Sequence, residues 1–282
     1  MIAALLLPYP FDTGAMQRAF VACLAVGVFA PMIGTFLVQK RLSLIGDGVG
    51  HVAFAGVGAG LLLGVWPVWT ALVFAVGGAV GVELLRSRRR ASGDLALALF
   101  FYSGIALGVV FASRAGKLDL ETLPYLFGDP FTVTRTGLVV TGAIGVVVVA
   151  GVVSLRRVLF AVVTDEDWAR AAGLPVDGLN IALAAVTAAV IVAGMRIVGI
   201  LLVAAMMVLP VASAQLLARS FRGTLRLAVA IGAGSAVVGL ALGRIFSIAS
   251  GGAIVFVAAG LFAVIAIAKR QAPRVLEMEV HQ

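Results

Sequence analysis

The stretch GDGVGH, residues 46 to 51, sets a carboxylate and an imidazole one helical turn apart. Asp47 and His51 stand at i and i+4, so on a helix they share a face and lie about 6 Å apart along the axis. A carboxylate oxygen with an imidazole nitrogen suits Zn2+ or Mn2+, and the same two groups suit a proton path. The plainer alternative is that the two satisfy one another near a hydrated interface. The chain has only two histidines, the other being His281 beside the C-terminus, so a metal reading leaves His51 as the imidazole at hand. Two ligands do not complete a tetrahedral site. Two copies about a two-fold axis offer two Asp and two His, which makes a homodimer with the path at its seam the expectation. Gly46 and Gly50, Gly56 and Gly60, and Gly60 and Gly64 repeat at four-residue spacing, a pattern that favours close helix contact.

Other chemistries are missing. There is no GxxxxGK[ST] phosphate loop: Gly116 and Lys117 are followed by Leu118, and Phe111 stands where the first glycine belongs. Neither a Gly-x-Ser-x-Gly elbow nor a HExxH pair occurs. Any ATP-driven work needs another subunit, and the chain is not expected to be an enzyme.

The elements that position Asp47 and His51 follow from composition. Of 282 residues 62% are hydrophobic and 12% charged, with a mean hydropathy of +1.15. Apolar runs long enough for a bilayer core of about 30 Å recur throughout, without the alternation of barrel strands, so helices are the spanning elements. The expected fold is an all-α polytopic membrane protein, one transmembrane domain over residues 1–282 with eight or nine transmembrane helices. The spans fall near 16–39, 44–64, 67–85, 95–113, 132–154, 179–195, 197–217, 226–243 and 252–268, the 179–217 run being split by a tight turn at Arg196. Residues 1–14, broken by Pro8 and Pro10, read as a short surface segment without the basic start of a signal peptide.

Charge orients the layout. With the N-terminus outside and nine spans, 15 of the 21 basic residues fall on the cytoplasmic side and the C-terminal tail 269–282 is cytoplasmic. The net charge of +8 is then a topology signal, and nucleic acid is not an expected partner. Glu83 beside Arg86 reads as an interfacial ion partner, Met206 and Met207 as packing, Pro31 and Pro210 as kinks, and Arg196 and Arg244 as outward-facing, toward lipid headgroups or an acidic docking protein.

The longest cytoplasmic loop, placed at 155–178, holds a short helical stretch at 165–172 with Thr164 as its N-cap and three acids near its positive end. Gly173 ends it and Pro175 bars continuation. A short charged helix shown to the cytoplasm suits contact with a soluble partner.

Here the residues resemble a family. DWARAAG, Asp167 to Gly173, is similar to the acid-x-Ala-x-x-x-Gly coupling motif of ABC importer permeases. RLSLIGDGVGHVAFAG (41–56), YLFGD (125–129) and RIVGILLVAAMMVLPVASAQLLARSF (196–221) resemble the metal-importing permeases for zinc, manganese or chelated iron, in the expected order. The resemblance implies a type II importer-like permease in the bacterial inner membrane, homodimeric, that takes metal from an extracytoplasmic binding protein while a cytoplasmic ATPase subunit holds the ATP. It implies no tightly bound cofactor, Asp47 and His51 as contacts of the ion in transit, and Asp167, Ala169 and Gly173 as the coupling residues. Two departures stand out. SIASGGAI (247–254) lacks the acid and proline of the family's Asp-x-Pro-x-Gly-like stretch, and Ala55-Gly56 replaces the Pro-Gly of manganese and iron members, which points to zinc. The reading from another class is a stand-alone secondary transporter or cation channel with Asp47 and His51 as its ion or proton site.

Overall fold

The computed structural model describes residues 11–87, 93–118 and 121–279, with side chains described there except at 93, 94, 201 and 270–279. The segment expected before residue 11, Arg88 to Arg90 and His281 lie outside the described residues.

Every regular element among the described residues is helical. In chain order they are α1 (Gly14–Gln39), α2 (Ile45–Leu63), α3 (Pro67–Ser87), α4 (Gly93–Arg114), α5 (Leu123–Phe127), a 3-10 turn (Pro130–Thr132), α6 (Arg135–Thr164), α7 (Glu166–Ala171), α8 (Val176–Met195), α9 (Ile200–Leu217), α10 (Phe221–Phe246) and α11 (Ser250–Glu279). Side-chain caps start several of them: Thr13 accepts from Met16 N, Thr134 from Gly137 N and Ser220 from Gly223 N. Eight helices, all but α5, α7 and α9, are long and apolar enough to cross a membrane. α9 is shorter, yet its start lies against α5 and its end lies beside the start of α10, so it too runs between the two ends of the bundle. The turn expected at Arg196 is present, occupying residues 196–199 between α8 and α9.

Two boundaries differ most, the ends of α6 and α11. The sequence reading opens a loop at 155, whereas α6 continues to Thr164. Nothing between Ser154 and Thr164 is glycine or proline, and Leu159, Val162 and Val163 find buried packing, so the helix has no reason to stop. At 30 residues α6 is about 45 Å long and overshoots the bilayer core. The backbone of α11 likewise stays helical through Glu279, where a tail was expected from 269.

The two ends have different characters. At one, here the basic end, lie Lys40, Arg86, Arg156, Arg157 and Arg222. At the far end Trp66, Val133 and Arg196 line one small pocket and Arg18 donates to the Val133 carbonyl.

α2 is the central helix. Of its 19 residues only Asp47, His51, Leu62 and Leu63 escape burial. Lipid offers no hydrophobic gain for helix association, so contact has to come from close van der Waals fit, which small residues permit. Gly46 and Gly50 admit Ala204 and Ile200 of α9, Gly56 and Gly60 admit the Pro67 to Ala71 turn of α3, and Gly58 meets the Gly108 carbonyl of α4. The repeats Gly46–Gly50 and Gly56–Gly60 are therefore taken up by neighbours in the same chain, whereas Gly64 meets nothing and serves as the left-handed C-cap of α2.

These contacts predict opposite results for two alanine substitutions. A Cβ on Gly56 would sit 2.6 Å from the Ala71 Cα, whereas one on Gly77 meets nothing within 4 Å. Gly56→Ala is expected to cost about 1–3 kcal/mol by overpacking, and Gly77→Ala to be neutral or stabilising, read as thermal unfolding in detergent micelles.

Candidate metal path and coupling helix

Asp47 lies in the first turn of α2, where the helix dipole favours a carboxylate, and His51 follows one turn later. Both are half-buried and face α4. Asp47, Leu44, Leu97, Ala98, Phe101 and Tyr102 enclose an open cavity of about 260 Å3, and the His51 ring meets Phe101 edge-on with centroids 4.2 Å apart. Asp47 makes no hydrogen bond or ion pair with any described residue, and none joins it to His51. Among the described residues no group of three or more His, Cys, Asp or Glu gathers anywhere. One chain thus presents two donors, Asp47 on the cavity itself and His51 one turn on against Phe101 of its wall.

At the basic end α7 is held by a hub of charge. Asp165, not Thr164, is its N-cap, accepting from Trp168 N at 2.9 Å, because α6 consumes Thr164 as its last residue. Glu166 Oε1 then receives Lys40 Nζ at 2.9 Å, Arg86 Nη2 at 3.1 Å and Asn180 Nδ2 at 3.2 Å. Lys40 closes the circle on Asn180 Oδ1 at 2.5 Å, and Arg86 is fixed by a two-pronged pair with the buried Glu83, at 2.8 and 3.0 Å. The ends of α1 and α3, the short α7 and the start of α8 meet on one carboxylate. The pairing of Glu83 with Arg86 is as the sequence suggests; Glu166, Lys40 and Asn180 are joined only by the fold.

The electrostatics agree with this arrangement. Partial burial pushes the Glu166 carboxyl upward, but hydrogen bonding and charge from Lys40 and Arg86 win and hold it below the usual carboxylate range. Lys40 also moves down, for another reason: its side chain is 6% exposed, and burial with repulsion from Arg86 outweighs the pull of Glu166. On the outer side of α7, Arg170 and Asp177 form an exposed two-pronged pair.

The coupling-motif residues fall in three different surroundings. Asp167 is exposed beside Arg170. Ala169 is fully buried, packed within the chain on Val162 and Val176. Gly173 stands at φ +79°, and Leu174 N reaches back to the Ala169 carbonyl at 3.0 Å, the left-handed glycine stop of a Schellman motif.

At the far end α5, the α8–α9 turn and the start of α11 touch backbone to backbone. Asp129 N donates to the Arg196 carbonyl at 3.0 Å, the Arg196 guanidinium lies 5.3 Å from the Tyr125 ring centroid, and Gly128 and Gly199 face one another's strand of backbone. Gly251 seats against the carbonyls of Val198 and Phe127, so SIASGGAI makes its contact there through a glycine. Arg196 is thus an internal tie, while Arg244 is exposed in the last turn of α10. Met206 and Met207 are buried in the core, as expected of packing residues.

A hydrophobic bundle with an unpaired acid and imidazole on its central helix, and a short helix pinned at its basic end, is matched over residues 12–269 by the ABC 3 transport family. The chain belongs to that family. It is similar to the manganese transport system membrane protein MntC of Halalkalibacterium halodurans, 32% identical over 248 residues that make up 88% of this chain and 85% of that one. The manganese import system permease protein ScaB of Streptococcus gordonii is 29% identical over 249 residues, 88% of this chain and 89% of the relative. Among solved structures, PsaBC from Streptococcus pneumoniae in complex with Fab superposes with a TM-score of 0.82 at 28% identity, covering 90% of this chain and 91% of that one. The protein is accordingly a non-catalytic, multi-pass permease of an ABC metal importer.

In this permease the Glu166 hub carries a signed pH dependence. A carboxylate whose folded pKa is depressed contributes stability that is complete above its unfolded value, about 4.3, and disappears as pH falls through the folded value. Hydrogen-exchange protection of α7 should hold from neutral pH to about that point and collapse below it. Glu166→Gln should show the low-protection state at every pH, and Ala169→Phe should release α7 without any pH dependence.

Proposed function

We propose that this permease forms the membrane path of an ATP-driven importer for a divalent transition metal, with Asp47 and His51 as the groups that meet the ion. The observation that carries this is an acid and an imidazole on one face of the most buried helix, with no side-chain hydrogen bond to a described residue, the acid lining an open cavity and the imidazole packed on Phe101 of its wall. An ion in transit needs ligands without prior partners and a site loose enough to leave. Two donors per chain support a homodimer, with two Asp and two His about the seam.

The excess of basic residues at the Lys40 and Arg86 end supports a cytoplasmic face there, with the N-terminus outside and the C-terminus inside. A separate ATPase subunit would then meet α7 through its exposed side, where Asp167 and the Arg170–Asp177 pair lie, while Ala169 and Gly173 give the helix its seat and its end. An extracytoplasmic binding protein would deliver the ion at the Trp66 and Arg196 end. ATP belongs to the partner, and no tightly bound cofactor is expected in this chain. The stand-alone carrier reading has no observation in its favour.

For the ion, we favour manganese over the zinc expected from Ala55-Gly56. Gly56 is spent on packing against α3, the relatives MntC and ScaB are named for manganese, and a carboxylate with an imidazole and no thiolate accommodates Mn2+.

The test is accumulation of manganese and of zinc in cells lacking their own high-affinity uptake, supplied with this permease and its partner subunits. Wild type should accumulate manganese, and Asp47→Asn and His51→Ala should each lower the initial rate at least tenfold with unchanged permease levels in the membrane. Uptake of zinc alone would return the ion to zinc, and wild-type rates in both variants would remove the pair from the path.

A further inference from the structure

We propose that a groove between α6 and α10 at the basic end is a binding site for the headgroup of an acidic phospholipid. The groove, about 390 Å3, is lined by Arg156, Arg157 and Phe160 of α6 and by Phe221, Arg222 and Arg226 of α10. Among the described residues no acidic side chain lines it. Both helices pack on α1, and Phe221 links them, its ring 4.7 Å from Phe160 and 5.2 Å from Phe36 of α1.

An excess of basic residues at this end is explained by topology, but their pairing is not. Lys40 and Arg86 hold Glu166, and Arg170 holds Asp177, whereas none of the four groove arginines makes an ion pair or hydrogen bond with a described residue. Four guanidinium groups with no described counter-charge around one cavity repel one another, and a phosphodiester, which a planar guanidinium grips with two parallel N–H donors, relieves that repulsion.

Depth decides the source of the phosphate. Arg157 stands 22 residues into α6, about 33 Å along its axis, which is the thickness of the hydrocarbon core and puts the guanidinium groups at headgroup level. Toward the bilayer centre from Arg157, α6 exposes Val146, Val147 and Val153, an apolar surface against which acyl chains can lie. Basic pockets between helices at this level are where acidic headgroups bind. A lipid fits both halves, a free phosphate only one. This inference needs only that the chain spans a bilayer and does not depend on the cargo.

The experiment is native mass spectrometry of the full chain released from neutral detergent after incubation with phosphatidylglycerol, diphosphatidylglycerol or phosphatidylcholine. Wild type should retain acidic lipid at least tenfold over phosphatidylcholine. Each arginine at an anionic surface contributes about fivefold, so Arg226→Gln should weaken retention about fivefold and Arg156→Gln with Arg222→Gln about thirtyfold, while Arg219→Gln, at the same end but off the groove, should leave it unchanged. Thermal unfolding verifies that each variant is folded, and inorganic phosphate alone should not raise the wild-type midpoint. Equal retention of acidic and zwitterionic lipid, or wild-type retention in the double variant, would overturn the proposal. Full competition by inorganic phosphate would make the groove a small-anion site, and loss of the lipid when the ATPase subunit is added would assign the arginines to that partner's acidic surface.

Discussion

The close approach of α2 to α3, α4 and α9 is the constraint on which the rest of this bundle rests. Within lipid a helix gains nothing by hiding leucine from leucine, and association depends on how near two backbones can come. Six glycines between Gly46 and Gly60 let three neighbours in on three sides, and a side chain at several of them would collide with backbone. Because α2 is enclosed so completely, the one flank left partly open determines what it can do. That flank carries Asp47 and His51, next to the aromatic surface of α4.

A polar group inside a membrane protein is expensive unless it is paired, and the two kinds of polar cluster in this permease answer that cost differently. Around Glu166 every charge is matched: Lys40, Arg86, Glu83 and Asn180 satisfy one another and in doing so join four chain segments at one end. Asp47 and His51 are left without such partners. The charges that join elements here are paired, whereas Asp47 and His51 join no elements and keep their side chains free of any described ionic or hydrogen-bonding partner.

The ends of the bundle use different means of joining. At the basic end side-chain ions reach between α1, α3, α7 and α8. At the far end glycine at 128, 199 and 251 brings three segments into backbone contact, with Arg196 over Tyr125 and the Asp129 amide on the Arg196 carbonyl as the polar ties. Backbone contact is short-ranged and lost with a small displacement, whereas long charged side chains follow a moving partner over several ångströms.

Much of this was legible in the sequence. Hydropathy alone determined that the molecule is a helical membrane protein with eight or nine passes, since a backbone in hydrocarbon has no alternative way to satisfy its N–H and C=O groups. The spacing of Asp47 and His51 determined that they share a face, and Gly173 before Pro175 determined where α7 stops. The tertiary structure alone decided which face of α2 is open, that the glycine repeats at 46–50 and 56–60 serve α3 and α9 of the same chain, that α6 runs on to Thr164 so that Asp165 caps α7, and that Ala169 points inward. It alone brought Lys40 to Glu166 as well. Helical periodicity is a property of neighbours in sequence and can be read along the chain, but which helix meets which surface is settled by shape and charge between residues far apart, and no local pattern carries that.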